Sequence, residues 1–381
     1  MKFTAEQNDF RQSVRTFVDR EINPNIEEWE SAGMMPLHKL FAKAAEVGMM
    51  GLNYDEEYGG QGEDDPTYMM ILAEEVGRAQ HGSFPMAFGS HVQMATPSLH
   101  RYGTHEQKMQ YLKPAMEGAM VAAIAVSEPE AGSDVASIRT RAVRDGDDWV
   151  INGSKMWITN SLQADWLCLL ARTNDEGGYR GCSQIIVPTS TPGFSVARKI
   201  DKLGMRASDT GVLAFDDMRV PVANTIGEID RGFQQQMAQF DIERMWAAFG
   251  IPAKCDHYLQ MTRDYARERK MFGGSLMSMQ YWGYKMAELS AEIDLLRVYN
   301  QHVCEMIKND EDISKEASIA KLTAGRLSQK VVDWCVQMHG GMGYVEEGWT
   351  GRAYRDSRLT RIAGGSDETM LRVLMRKGGF Q

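Results

Sequence analysis

The sequence has little of what marks several classes of protein. Its 381 residues contain 42 Lys and Arg against 52 Asp and Glu, a formal net charge of -10, whereas a surface that binds nucleic acid needs clustered positive charge. No apolar run is long enough to span a bilayer, and the first residues contain no apolar secretion segment. We therefore expect a cytoplasmic protein without a membrane span and without a nucleic-acid partner.

Cysteine is also scarce and irregularly spaced. The chain has five cysteines and no C-x-x-C pair, a pattern that indicates neither a disulfide framework nor a zinc site, so we expect no metal. A G-x-G-x-x-G motif that opens a helix after a strand is missing as well. Any dinucleotide that the protein binds is therefore not expected to lie in a Rossmann fold.

The sequence pattern changes from helical to strand-like near residue 120. Residues 1–120 show helical periodicity and begin with a capping-box pattern, Thr4 followed by Gln7. Residues 121–226 contain short strand-like runs instead. Within them, Asp145-Gly146 and Asn152-Gly153 predict two-residue hairpin turns in a meander of antiparallel strands.

Long helical patterns return in residues 227–381. They are predicted at 233–249, 252–271, 279–308 and 313–338. The order of helices, then strands, then helices is typical of the α+β class and differs from the alternating pattern of a doubly wound sheet. The length is also more than one hydrophobic core usually supports, so we expect three domains: 1–120, 121–226 and 227–381.

Four segments suit a flat cofactor, although each also has a simpler interpretation. The segment 125–135 is rich in small residues and either bonds the edge of a heteroaromatic ring or forms a turn. Trp157, close to Thr159, either covers such a ring or packs in the core. The charged run 267–273 is either a pyrophosphate site or a solvated helix end. The glycines in 340–343 either admit a ligand or cap a helix.

Taken together and in this order, the segments resemble those of the FAD-dependent acyl-CoA dehydrogenases. The family's T-E-P-x-A-G-S-D, W-I-T, E-R-x-x-F-G and Q-x-x-G-G-x-G-Y patterns are matched nearly throughout the chain. The resemblance implies an N-terminal helical domain, a middle antiparallel β domain and a C-terminal four-helix-bundle domain. It also implies bound FAD, a homotetramer built as a dimer of dimers, and an electron-transfer flavoprotein as partner.

The resemblance assigns a set of residues to FAD, most of them in these motifs. They are Val126, Ser127, Trp157, Ile158, Thr159, Arg269, Phe272, Gln280, Gln337, Gly340, Gly341, Ser366 and Glu368. In the family, the arginine, phenylalanine and glutamine of the third motif reach the flavin dinucleotide of a neighbouring subunit.

The catalytic base is the point at which this chain departs from many members of the family. Gly364 occupies the place of their glutamate, and Glu243 resembles the base of the long-chain and isovaleryl-type branch. Helical spacing puts Gln236, Phe240 and Ala247 on the same face as Glu243. A partly apolar face would raise the pKa of the carboxyl group towards the working pH. The simpler interpretation is a surface glutamate paired with a cation.

The resemblance also assigns residues to the substrate, an acyl-CoA thioester. They are Ser133, Asp241, Arg244, Ala363, Gly364 and Gly365, and the far end of the acyl group is expected to meet Val92, Gln93, Met94 and Thr96. Ala363 stands where many members carry tyrosine, which favours a branched, cyclic or bulky acyl group. Two alternatives stay open: an enzyme like crotonobetainyl-CoA reductase, which works in the reducing direction, and a non-catalytic flavoprotein subunit.

Overall fold

The computed structural model describes residues 1–380, and its N-terminal region consists of short helices. Thr4 and Gln7 cap the start of the first helix. Each side chain accepts a hydrogen bond from the other residue's backbone N–H, as the capping-box pattern predicts. These helices are α1 Ala5–Phe17, α2 Ile26–Ala32, α3 Leu37–Glu46, α4 Pro66–Gly77, α5 Ser83–Gly89, α6 Pro97–Tyr102, α7 His105–Gln107 and α8 Lys113–Met116, with π-helical turns at Val18–Ile22, Ser90–Ala95 and Lys108–Leu112.

The middle of the chain forms one eight-stranded sheet. Its strands are β1 Ala122–Ala125, β2 Arg141–Asp145, β3 Asp148–Thr159, β4 Trp166–Arg172, β5 Cys182–Pro188, β6 Phe194–Lys199, β7 Thr210–Pro221 and β8 Thr225–Ile226. Their order is β6-β7-β3-β2-β4-β5-β8, with β1 beside β4. The prediction of a wholly antiparallel sheet is wrong in one respect, because β4 pairs parallel with both β1 and β2.

The two predicted hairpin turns have different outcomes. The first is present but shifted by one residue, because Asp145 pairs with Asp148 and the loop is Gly146-Asp147. The second is wrong: Asn152-Gly153 lies inside β3 as a bulge against β7. Gly153 has a φ of +144°, and a Cβ atom there would lie 2.7 Å from Thr140. The glycine is therefore required by close packing between strands, as at other bulges.

The C-terminal region is helical, with a small hairpin of two strands. Its elements are α9 Gly232–Glu268, β9 Lys270–Met271, β10 Gly274–Ser275, α10 Gln280–Lys308, α11 Ser314–His339, α12 Trp349–Ser357 and α13 Asp367–Lys377. The predicted break before Pro252 is wrong, since α9 continues through it. Pro252 cannot donate to the carbonyl of Ala248, and the side chain of Asn300 donates to that carbonyl instead, at 2.9 Å. The α+β class is confirmed.

Helix α9 connects the helical regions because it packs closely against α4. A Cβ atom on Gly77 would lie 2.5 Å from the carbonyl oxygen of Gly250, so the two backbones touch. One turn earlier, Trp246 packs against Phe88 with ring centroids 6.1 Å apart. These contacts fix the rotation of α9 and turn the face that carries Glu243 inward. No helix within residues 1–380 is long and apolar enough to cross a membrane.

Candidate active site

Glu243 lies in the first half of α9 with its carboxylate turned into the protein. The residue is only 8% exposed. Two amides on the same helix face donate to its Oε1 atom, Gln239 Nε2 at 2.7 Å and Gln236 Nε2 at 3.3 Å. The other oxygen, Oε2, accepts no hydrogen bond from residues 1–380 and retains some access to solvent. One oxygen is therefore held and the other is free.

Burial gives this carboxyl group an unusual pKa. It raises the pKa of Glu243 from an ordinary 4.5 to about 8, although the Gln239 hydrogen bond, the charge of Arg244 and the Gln236 hydrogen bond oppose the rise. The raised pKa agrees with the sequence argument, but the attribution to Ala247 was wrong, because Ala247 is exposed. A carboxyl group that ionises near the working pH can act as a general base.

Asp241 and Arg244 form an ion pair beside the carboxylate. Arg244 Nη1 lies 2.6 Å from Asp241 Oδ1, and Ser314 Oγ donates to Asp241 Oδ2 at 2.9 Å. Arg244 is therefore not the direct partner of Glu243, as the helical spacing predicts. Ser314, the first residue of α11, thus fixes the pair, and the buried Nε donor of the guanidinium has no partner in the described chain.

The loop 363–365 precedes α13 and contains the position at which the glutamate is missing. Gly364 has a φ of +65° and Gly365 a φ of +97°, a backbone conformation that favours glycine. A Cβ atom on Gly364 would meet nothing within 4 Å. Within residues 1–380 its N–H finds no acceptor, while Lys321 donates to the carbonyl of Gly365. The loop therefore offers a free N–H group and no carboxylate.

The first predicted flavin segment, 125–135, contacts the residues of β3 that come directly before the second, 157–159. The backbone N–H of Met156 donates to the carbonyl of Ser127 at 2.9 Å. Next to it, Lys155 Nζ donates to the carbonyl of Val126 at 2.9 Å. Ser133 is exposed farther along the same loop. The segment 125–135 is thus joined to the end of β3, next to Trp157.

Two other predicted cofactor motifs meet at the far end of the C-terminal helices. The rings of Tyr265, just before the charged run, and His339, at the end of α11, stack with centroids 4.2 Å apart. Around this stack the predicted residues are exposed: Arg269, Phe272, Gln280, Gln337, Gly340 and Gly341. Phe272 is 89% exposed. No hydrogen bond within the described chain joins this group to Trp157.

The remaining predicted residues have ordinary local roles as well. Ser366 is the N-cap of α13 and accepts a hydrogen bond from the Thr369 N–H at 3.3 Å. Glu368 is exposed in the first turn of this helix, and a backbone hydrogen bond lowers its pKa. Neither role excludes a contact with a cofactor.

A cavity of about 500 Å³ lies next to the Glu243 network. Its wall includes Gln239 and, from the segment predicted to meet the far end of the acyl group, Gln93. Met94 is not in this wall, but its carbonyl accepts a hydrogen bond from Gln239 Nε2 at 2.8 Å. Val92 and Thr96 are buried, and the Thr96 hydroxyl bonds to that of Tyr54 at 3.1 Å. Those two residues therefore do not line the cavity.

Comparisons with known proteins identify the family of the chain. Family models described as the N-terminal, middle and C-terminal domains of acyl-CoA dehydrogenase match residues 4–119, 123–218 and 230–379. The chain belongs to the acyl-CoA dehydrogenase family.

Individual relatives cover nearly the whole chain. The mitochondrial long-chain specific acyl-CoA dehydrogenase of Rattus norvegicus is 36% identical over 377 residues, which are 98% of this chain and 87% of the rat protein. A probable acyl-CoA dehydrogenase of Mycobacterium abscessus superposes with a TM-score of 0.95 at 38% identity, covering 99% of both chains. A chain in the structure of the electron transferring flavoprotein of Acidaminococcus fermentans superposes with a TM-score of 0.94 at 31% identity, covering 99% and 98%.

Members of this family are FAD-dependent oxidoreductases, and the residues of this acyl-CoA dehydrogenase fit that cofactor. Trp157 is 56% exposed, whereas Trp149 and Trp166 of the same sheet are 2% and 0% exposed. A large ring thus stays uncovered beside the Val126–Ser127 loop, where a flat aromatic ligand can stack on it. Ile158 is different: its side chain packs in the core of the sheet, so only its main chain can reach a cofactor.

Sequence reasoning missed the groups that support this acyl-CoA dehydrogenase site from behind. Lys155 and Glu128 form an ion pair at 2.8 Å with side chains 0% and 4% exposed. Glu128 also accepts from the backbone N–H groups of Arg139 and Thr140. Burial opposes ionisation of Glu128, but the charge of Lys155 and these hydrogen bonds keep its pKa below the ordinary value. Gln239 was also missed, although its position four residues before Glu243 was a signal that could have identified it.

Proposed function

We propose that this protein dehydrogenates an acyl-CoA thioester and that Glu243 removes the proton from the α carbon. The electrons of the broken C–H bond pass towards the thioester, whose oxygen becomes enolate-like. When bound, FAD would supply the acceptor for the hydride that leaves the β carbon, so that the acyl group would gain a carbon–carbon double bond. The observation that carries the proposal is one buried carboxyl group whose Oε1 is held by two amides and whose Oε2 is free, in a chain that has glycine at position 364.

The developing charge on the thioester oxygen also needs a hydrogen-bond donor. A backbone donor survives the loss of a side chain, and the unpaired N–H of Gly364 is such a donor. Position 364 would thus keep the role in stabilising the oxyanion while the base lies on α9. This division is the one that the sequence resemblance implies for the long-chain and isovaleryl-type branch of the family, and it supports the proposal that the protein belongs to that branch.

The acyl group is proposed to be branched, cyclic or otherwise bulky. Ala363 is small and only partly buried, so it leaves room beside the Gly364 loop. The cavity next to Gln239 supplies further space for the far end of the acyl group. The long-chain name of the rat relative belongs to that protein, and a straight long chain is the competing outcome for this one.

The partners of the enzyme are proposed on two further observations. The similarity to a chain in the electron transferring flavoprotein structure supports such a flavoprotein as the electron acceptor. Two pairs of exposed apolar side chains on α10 support the predicted homotetramer, because exposed apolar patches mark interfaces. Tyr281, Tyr284, Leu295 and Val298 are between 60% and 72% exposed.

The test is anaerobic bleaching of the flavin by isovaleryl-, octanoyl- and palmitoyl-CoA, each measured as a specificity constant. We expect the branched thioester to bleach the flavin with the highest constant. Preference for palmitoyl-CoA would remove the bulky-substrate proposal and leave the dehydrogenase. No bleaching by any of the three, in a fully loaded protein, would contradict the proposed function and favour the non-catalytic subunit. Faster oxidation of a reduced flavin by enoyl thioesters would favour the reductase.

A further inference from the structure

The amide of Gln239 is held in one orientation by its neighbours. Its Nε2 atom lies 2.8 Å from the carbonyl oxygen of Met94, which can only accept a hydrogen bond. The side-chain oxygen of Gln239 must therefore point the other way, where Ser98 Oγ donates to it at 2.8 Å. The fixed amide then presents its second N–H to Glu243 Oε1 at 2.7 Å.

The network is buried beside the cavity, and every polar group of the amide has a partner. Gln239 is 8% exposed and Ser98 2%. Both hydrogens of the amide and its oxygen are used in these contacts, so no flip of the side chain leaves all three satisfied. The contacts join α9 to the π-helical turn Ser90–Ala95 and to α6. The position of the amide is thus set by three separate elements.

The consequence for Glu243 is a difference between its two oxygens. Oε1 receives both amide hydrogen bonds, from Gln239 and, at greater length, from Gln236. A proton on Oε1 would oppose these donors, whereas Oε2 has no donor against it within residues 1–380. Protonation therefore falls on Oε2, the oxygen that the rest of the chain leaves free.

We propose that Gln239 is a positioning residue that reserves Glu243 Oε1 and thereby makes Oε2 the oxygen that removes the α proton. This inference rests on the proposed function. In the step, the carbon–hydrogen bond breaks, the proton moves to Oε2, and the electron pair stays on the acyl group. The Gln239 hydrogen bond also favours the ionised form of Glu243, so it keeps more of the base ready at a given pH.

The experiment measures the rate of flavin reduction by isovaleryl-, octanoyl- and palmitoyl-CoA between pH 5.5 and 9.5. In Gln239→Met the side chain has similar length but donates nothing. We expect the rising limb of the pH profile to move upward by about one unit or more, because a hydrogen bond to a charged group is lost. The matched control, Gln234→Met, changes an exposed residue of the same helix and should leave the limb unmoved.

A damaged structure would give a different result from a lost hydrogen bond. General damage lowers the rate at every pH and leaves the limb in place, and that outcome would overturn the inference. If Gln239→Met does not fold, Ser98→Ala provides the test, because it removes the donor to the amide oxygen and should move the limb in the same direction by a few tenths of a unit. An unmoved limb in Ser98→Ala would then count against the inference.

Failure of this inference and failure of the proposed function can be told apart. If Glu243→Gln abolishes flavin reduction while the Gln239→Met limb stays in place, only the positioning role is wrong. If Glu243→Gln reduces its flavin at the parental rate, the base itself is misassigned, and Gln239 has no such role either.

Discussion

Replacement of Lys155 by methionine should both destabilise the protein and weaken its hold on FAD. Methionine fills a similar volume but removes the charge that faces Glu128 at 2.8 Å. It also removes the donor to the carbonyl of Val126. The carboxylate of Glu128 would then be buried with only its backbone donors.

The size of the effect follows from burial. Removing one partner of a buried ion pair costs about 3–5 kcal/mol, because an uncompensated charge remains. Whole-protein stability is typically about 5–15 kcal/mol, so the loss would be a large fraction of it. The two remaining backbone hydrogen bonds to Glu128 favour the lower end of this range. The freed Val126 carbonyl lies in the proposed flavin surface, so FAD affinity should fall in parallel.

The assay is a double-mutant cycle with Lys155→Met and Glu128→Gln. Each variant is measured by urea unfolding of the FAD-free protein and by FAD titration. We expect a coupling energy of about 2–3 kcal/mol. The control cycle uses Arg219 and Asp145, an ion pair whose side chains are 53% and 64% exposed, and should give less than about 1 kcal/mol. A coupling no larger than the control, or unchanged FAD affinity in Lys155→Met, would refute the reasoning.

Three further predictions concern single residues. Gly364→Ala should lower the free energy of unfolding by about 1–2 kcal/mol, because of its φ of +65° alone. Gly132→Ala, in open space and with an ordinary φ, should change it by no more than about 0.5 kcal/mol in the same thermal melt. Equal losses in the two variants would contradict this. Trp157 has a φ of +66°, so Trp157→Gly should weaken FAD binding without destabilising the FAD-free protein. Trp149→Phe should instead destabilise the FAD-free protein and leave FAD binding unchanged, because the Trp149 indole donates to Thr225 at 2.9 Å. The folded-state pKa of Glu243 is about 8 against an ordinary 4.5, so the contribution of Glu243 to stability falls as the pH rises between these values. The stability advantage of Glu243→Gln over wild type should therefore grow from pH 5 to pH 8. A difference in urea unfolding that stays constant with pH would contradict this.

Much of the fold could be predicted from the sequence because its signals are local. The capping box at Thr4 and the change from helical to strand-like periodicity depend on neighbouring residues only. The continuation of α9 through Pro252 could not be predicted in this way, because the donor that replaces the missing N–H comes from Asn300, far along the chain. The bulge at Asn152-Gly153 has the same cause, since it is set by β7 and Thr140.

In the candidate site, too, local features could be predicted from the sequence and contacts between distant residues could not. The flavin motifs and Glu243 could be predicted by resemblance, because each is a short run of residues. The partners that give these residues their properties lie elsewhere: Ser98 and Met94 fix the amide that binds Glu243, and Lys155 reaches back to the Val126 loop. Helical spacing placed Ala247 beside the carboxylate, but it could not show that this side of α9 is exposed there.

The most direct test of the central claim is rapid mixing of Glu243→Gln, fully loaded with FAD, with the thioester that bleaches the wild-type flavin fastest. Glutamine preserves the shape of the side chain and cannot accept the α proton. The account predicts flavin reduction slowed by about a hundredfold to ten-thousandfold, the contribution expected of a general base, with thioester binding retained. Reduction at the wild-type rate would contradict it.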